Sequence, residues 1–555
     1  MIPHAPVDLC VVGLGAAGGT IASEAAHAGL SVVGLEAGPD HDPTRAAEEF
    51  DTDEVAHVVD LKLQWAEPEV LVFEDGPPIP FPWLARNIGV GGPHHWSGFS
   101  FRFHPSDFRV ASECGVPDGS SVADWPISYE DLEPFYESAE AMFEVSAGTT
   151  HPWEPERHAP YPQPPLPDSG RARMLTDAAR RLGWNPYRPP AGVLTRAEPG
   201  GLRQACNLCG HCTHFGCTRN AKASTLVTVL PAARATGHLD VRARSRATEV
   251  VVDGTGRPRA VHYLDADGEE HVQPAKVIVL ATNAPYVAKL MLQSRSDHHP
   301  RGLGNEHDQV GRHATFHTSM YAYGVFDDLL LHAERGPALH VAIDDFSEGR
   351  PYAAGAPFRR GAQLTGGMPA TFAGGPLSFA LALGDWLPLP DGVPGYGEGL
   401  LEFAAHAFAR HMAVFCLGED LPRAENRVTL DPHLVDGSGR PALRIEYAHH
   451  PEDRAQIAYM LERAELWLRE AGADTVVSAA PPIPGGIRAG HAHGTTRMGT
   501  DPHTSVTDDM GRVHGFDNLF SAGAGTFVTS SAFNPCLTIV ALALRSAPAI
   551  IAAAS

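Results

Sequence analysis

The chain has 555 residues, with 42 lysines and arginines against 66 aspartates and glutamates, for a net charge of −24. The length suits two domains or one large nucleotide domain with a long insertion, and the acidic excess argues against nucleic acid or an anionic membrane as partner while tolerating a cationic substrate. The start MIPHAPVDLC leaves no room for a cleavable leader, and no uninterrupted apolar run reaches the ~18 residues of a membrane span, so a cytoplasmic enzyme is expected.

The first element is the apolar run Cys10-Val11-Val12, read as a buried strand that enters a glycine turn. Gly13, Gly15 and Gly18 satisfy G-x-G-x-x-G, the spacing that lets backbone fold tightly against a pyrophosphate. Ala16 and Ala17 open a small-residue helix running to Leu30, whose N-terminus would face the phosphates. A second strand, Ser31 to Leu35, ends in Glu36, where a carboxylate accepts ribose hydroxyls and disfavours a 2′-phosphate. Strand, turn, helix, strand and acid together predict a dinucleotide site that is not for NADP.

Beyond Leu61 the chain becomes rich in proline and glycine. The segment Arg86 to Gly98 contains Gly91, Gly92, His94, His95 and Trp96, a density of glycine beside aromatics that suggests backbone packed on a flat ligand. Residues 148 to 170 and 185 to 203 are proline-rich connections. Strands follow at 247–253 and Lys276–Leu280, the latter leading through Ala281 into a helix at Tyr286–Gln293, a second strand-turn-helix suited to closing an ADP site. Residues 310 to 480 instead mix short strands, such as Pro337–Ile343 and Arg427–Leu430, with an amphipathic helix from about Pro451 to Ala471, as expected of a substrate domain.

Near the C-terminus stand HAHGTTRMG, from His491, and SAFNPCLTIV. Asn534 and Pro535 are placed to start a helix, because Asn at the cap and Pro in the first turn are favoured there. A histidine is suited to accept an alcohol proton near neutral pH.

These ends, with NIGVGGPHHWSGFSFRFHPSDF and VIVLATNA, resemble the glucose-methanol-choline oxidoreductase family, in the bacterial branch of gluconate 2-dehydrogenase large subunits and pyranose oxidases. The resemblance implies an α/β fold: a Rossmann-like two-dinucleotide FAD domain from residues 1–310 and 481–555, with an α+β substrate domain at 311–480. It implies FAD, and oxidation of an alcohol to a carbonyl by hydride transfer to flavin N5. In the family pattern H-x-x-G-T the base maps to His491, with His493 as the rival, and N-P-x-x-T maps the substrate-holding partner to Asn534. It also points to Pro535, Thr538, Gly523 and Ala524 as cofactor neighbours, beside Gly91, Gly92, Trp96 and Ala281. His95 sits where some relatives link the flavin covalently, although packing is the default reading. Some members are lyases that keep FAD as a relic, which leaves a non-redox alternative. The branch acts mostly on carbohydrates, and the C-terminal and cysteine patterns are similar to aminoglycoside alcohol oxidases. The expected substrate is therefore a sugar, polyol or amino sugar, with the electron acceptor open between oxygen, a quinone and a protein.

Half of the eight cysteines, Cys206, Cys209, Cys212 and Cys217, lie within twelve residues. Their C-x2-C-x2-C-x4-C run resembles the close thiolate spacing of an iron-sulfur cluster, yet it departs from the ferredoxin pattern, and cysteines serving only packing are the other reading. Zinc fits less well, since structural sites use two separated pairs.

Overall fold

The computed structural model describes residues 1–49, 68–80, 89–92, 96–148, 151–212, 215–332, 335–337, 340–347, 355–368, 379–380, 383–384, 388–480 and 490–555. Strand β1 (Val7–Val12) is buried from Leu9 onward, as an apolar run inside a parallel sheet must be. It turns into helix α1 (Ala16–His27) and returns as β2 (Val32–Leu35). Helix α2 (Tyr129–Phe143) is started by a reciprocal cap between Ser128 and Asp131. Next come β3 (Leu239–Arg242), β4 (Arg246–Val252), β5 (Pro258–Leu264) and β6 (Glu270–Leu280), followed by α3 (Ala284–Gln293). Strand β7 (Leu519–Ser521) and α4 (Cys536–Ala554) complete this part.

The long strand β6 organises the sheet. Its first half pairs antiparallel with β5, which pairs with β4, while its second half lies parallel between β1 and β7. The parallel order is β3-β2-β1-β6-β7. In register, Val12 faces both Leu35 and Leu280, and Leu280 faces Ser521. Gly13, Glu36, Ala281 and Ala522 therefore leave one edge of the sheet together. Ligands of open α/β sheets bind at this carboxyl edge.

Helix α4 corrects one sequence expectation, because by length and composition it is apolar enough to cross a bilayer. An uninterrupted-run criterion misses it, since Arg545 and Ser546 divide it. Here Leu537, Val540 and Ala541 share a core with Tyr136 and Phe143 of α2, and Ala543 and Ile550 share one with Ile21 and Ala25 of α1. These contacts place part of its apolar surface on protein.

A second sheet has the order 341–343, 362–368, 411–418, 318–325, 475–479. The helix Pro451–Glu470 covers it, with Met460, Ala464 and Trp467 packed against Met320, Met412 and Val414. A smaller sheet joins Arg427–Val435 and Pro441–Tyr447 to Glu69–Phe73 and Ile79–Pro80. Its Leu71, Val428 and Ile445 share a core with Cys10 and Val12 of β1, so strands at 427–447 pack with the nucleotide side.

Thr318 pairs with Gly418 at one end of the second sheet. The residues just outside those strands, His317 and Asp420, therefore emerge side by side. Asp420 accepts the backbone N–H of Phe316 at 2.7 Å and of His317 at 2.9 Å, the Ser530 hydroxyl at 2.9 Å and the Tyr447 hydroxyl at 2.7 Å. Four donors match the capacity of a carboxylate. Asp420→Ala strands these buried donors at about 1–3 kcal/mol each before relaxation, so the expected result is a clear drop in the urea midpoint with an unchanged slope.

Candidate active site

The nucleotide cradle is built from backbone. Helix α1 begins at Gly15 without a capping side chain or an acidic residue in its first turn, which leaves its N–H groups and partial positive charge for an anion. A Cβ on Gly18 would lie 1.9 Å from the Gly13 carbonyl oxygen, so only glycine permits this turn. Gly92, at φ +71°, brings a second loop onto the first, with its added Cβ only 2.7 Å from Gly15 Cα, while the Gly91 N–H donates to the Leu14 carbonyl at 2.8 Å. The Ala281 N–H donates to the Val12 carbonyl at 2.8 Å and closes the opposite side.

Glu36 sits at the end of β2, 8% exposed. Burial pushes its carboxyl above the usual range, opposed by the N–H groups of Gly38 at 2.9 Å and Leu14 at 3.0 Å. Each oxygen has one such donor and retains acceptor capacity for ribose hydroxyls. A phosphate-sized helix end, a glycine cradle and this acid fit the ADP half of FAD.

The C-terminal motifs meet side by side. Gly494, Thr496 and Met498 donate their N–H groups to the carbonyls of Ala524, Gly525 and Thr526 at 2.8 to 3.1 Å. Gly523 lies against Ala17 of α1, which brings this segment to the cradle. His491 is half-buried, and its Nδ1 is 2.9 Å from Nδ1 of His317. The Nε2 of His317 is in turn 2.9 Å from the Ser530 carbonyl oxygen. Asn534 is 5% exposed, and its amide has no hydrogen-bond partner among the described residues. It does not cap α4, as the sequence suggested: Pro535 occupies the cap position, leaving the helix N-terminus without a capping side chain or a first-turn acid. The Asn534 amide is thereby left for another use.

His493 is 0% exposed, stacks on Phe527 at 5.3 Å and keeps Nε2 without a partner. Burial, reinforced by neighbouring His317, holds its pKa well below the usual imidazole value. It is a poor base, and its complete burial contrasts with the partial exposure of His491. Thr538 spends its hydroxyl on Tyr136 at 2.8 Å, and the Trp96 indole N–H donates to the Ala223 carbonyl at 2.9 Å. His94 and His95 lie outside the described residues.

The four clustered cysteines are all free thiols. Among the described residues, the groups of three or more ligand atoms within 4.8 Å are Glu133, Glu137, His158 and Asp265, Glu269, His271, so the sulfurs do not close to the ~3.8 Å spacing of one tetrahedral zinc. Burial pushes Cys206 up to about 11 and Cys212 up to about 12. The buried ammonium of Lys222 donates to the carbonyls of Cys212 and Phe215, which ties the loop from beneath.

Sequence reasoning missed His317, Asp420 and Ser530. The only local signal was histidine before a strand, which is too common to use.

A dinucleotide cradle lying against the segment that carries a hydrogen-bonded histidine is the arrangement of an oxidoreductase that works on a bound dinucleotide. The chain matches the GMC oxidoreductase model over residues 127–319 and 422–543. It is 32% identical to 6'''-hydroxyparomomycin C oxidase of Streptomyces lividus, over 98% of this chain and 91% of that one. It is 28% identical to the gluconate 2-dehydrogenase flavoprotein of Pantoea cypripedii, over 98% and 93%. Its fold is similar to that of pyridoxine 4-oxidase from Mesorbium loti, with a TM-score of 0.60 at 18% identity over 98% of both chains. The chain belongs to the GMC oxidoreductase family and uses FAD.

Two outcomes are expected. Glu36→Ala removes charged acceptors worth about 1.5–3 kcal/mol, so FAD binds roughly 10- to 100-fold more weakly in a fluorescence titration of apoprotein. For His493, the folded pKa lies below the unfolded one, so its contribution is present above pH 6.5 and is lost as pH falls below that value. His493→Phe should flatten this part of the acid-unfolding curve, read by melting temperature against pH.

Proposed function

We propose that the chain oxidises a hydroxyl of a sugar, polyol or amino sugar, with a cationic aminoglycoside intermediate as the first choice. The observation that carries the site reading is the contrast between half-buried His491, tied to His317, and fully buried His493, and the unengaged amide of Asn534 is a second support. When bound, FAD supplies the hydride acceptor. His491 Nε2 takes the hydroxyl proton, and the Asn534 amide holds the substrate oxygen so that the carbon-bound hydrogen is presented in one orientation. The net charge of −24 is compatible with a cationic substrate, and the name of an aminoglycoside-oxidising relative supports one.

Two finer points belong to the same proposal. For the loop from Cys206 to Cys217 the two readings are packing and an iron-sulfur cluster; the contacts of Cys206 and Cys217 with a hydrophobic core support packing, and iron with acid-labile sulfide in purified protein would establish the cluster instead. A cytoplasmic location is supported by eight free cysteines.

The test is anaerobic flavin bleaching with a panel of aminoglycosides, neutral sugars and aliphatic alcohols. Bleaching by amino sugars is expected; bleaching by aliphatic alcohols alone would overturn the substrate class, and turnover without bleaching would indicate elimination rather than oxidation. His491→Ala should keep its yellow FAD and bleach about 10²- to 10⁴-fold more slowly. His493→Leu should stay within about tenfold of the parent, and the reverse ranking would make His493 the base.

A further inference from the structure

We propose that His317 is a positioning residue that sets the tautomer of His491, through a relay running from the Ser530 carbonyl to the catalytic nitrogen. The inference rests on His491 being the base. A backbone carbonyl can only accept, so the Nε2 of His317, 2.9 Å from the Ser530 oxygen, carries hydrogen. In the neutral ring its Nδ1 then holds a lone pair. That lone pair faces His491 Nδ1 at 2.9 Å, so His491 must carry its hydrogen on Nδ1. The lone pair of neutral His491 is thereby placed on Nε2, the atom that takes the substrate proton. A protonated His317 would reverse the direction and leave His491 with hydrogen on Nε2, unable to act as a base.

The surroundings favour the neutral ring. His317 is wholly buried, and among the described residues the titratable groups facing it include His491, the ring of His493 at 4.7 Å and the carboxylate of Asp420. Asp420 spends one oxygen on the backbone N–H and the Ser530 hydroxyl and the other on Phe316 N–H and Tyr447, so it is directed at these donors. The same carboxylate thus holds two members of the relay, the His317 backbone and the Ser530 side chain. His317 sits at φ +59°, a left-handed conformation that a non-glycine residue adopts only when its neighbours enforce it. When His491 accepts the proton on Nε2, its Nδ1–H donates to His317 as a charge-assisted bond, which stabilises the imidazolium. No proton needs to leave His317.

The test uses holoenzyme variants. His317→Leu and His317→Phe remove the acceptor, the second with the ring volume kept, and each should retain FAD and a KM within about threefold while bleaching about 100-fold more slowly. The acid limb of kcat/KM should move to lower pH, because the imidazolium loses its acceptor. His317→Asn keeps an oxygen near the Nδ1 position and tolerates the left-handed backbone, so it should restore both the rate to within tenfold and the parental limb. Parental rates and limb in His317→Phe would overturn the relay, as would equal impairment of all three variants with no shift of the limb. His491→Ala separates the two readings: if it bleaches normally the base assignment fails, whereas if it is inactive and His317→Phe is normal, the relay alone fails.

Discussion

The carboxylate of Asp420 is the junction on which the catalytic half of the molecule depends. It stands just beyond one strand of the antiparallel sheet and collects donors from Phe316 and His317 at the start of a neighbouring strand, from Tyr447 and from Ser530. The extremes, Phe316 and Ser530, lie 214 positions apart along the chain, yet one side chain sets their relative positions. Around it runs a buried ion network in which Arg360 bridges Asp107 and Glu419, with the Ser531 hydroxyl donating to Asp107 at 2.8 Å. Buried pairs of this kind add little net stability but are costly to break, so they hold geometry more than they hold the fold together.

The nucleotide half works on another principle. Helices α1 and α4 both begin without a capping side chain and without an acid in the first turn. Each such end leaves unsatisfied N–H groups and about half a positive charge. A folded protein normally satisfies these groups itself, so leaving both open beside the carboxyl edge of a parallel sheet prepares an anionic and electron-rich cofactor site. Glu36 supplies the complementary acceptor, and its burial keeps water from competing for the same hydroxyls.

Local sequence carried the cradle well. G-x-G-x-x-G, the flanking apolar runs and Glu36 became the expected strand, helix and strand, because a tight phosphate turn admits few alternatives. The amphipathic helix at Pro451–Glu470 and the strand ending at Leu280 were equally legible from periodicity. Asn534 was legible as a residue at the start of α4 but not in its role, since only the position of the cap shows that its amide is unengaged. The apolarity of α4 was underestimated, because a helix buried between two others tolerates an interruption at Arg545 that a run-length rule does not.

By itself, then, the sequence determined the dinucleotide fold, the family resemblance with its FAD and alcohol oxidation, and the candidate pair His491 and Asn534. Tertiary structure decided which of two histidines two residues apart lies buried and which meets His317, and it disclosed Asp420 and Ser530. The reason is physical. A phosphate turn and an amphipathic helix are specified by neighbours in the chain, whereas the burial of His493 and the direction of the His317 hydrogen bonds depend on strands and loops brought together from residues 315, 420 and 530.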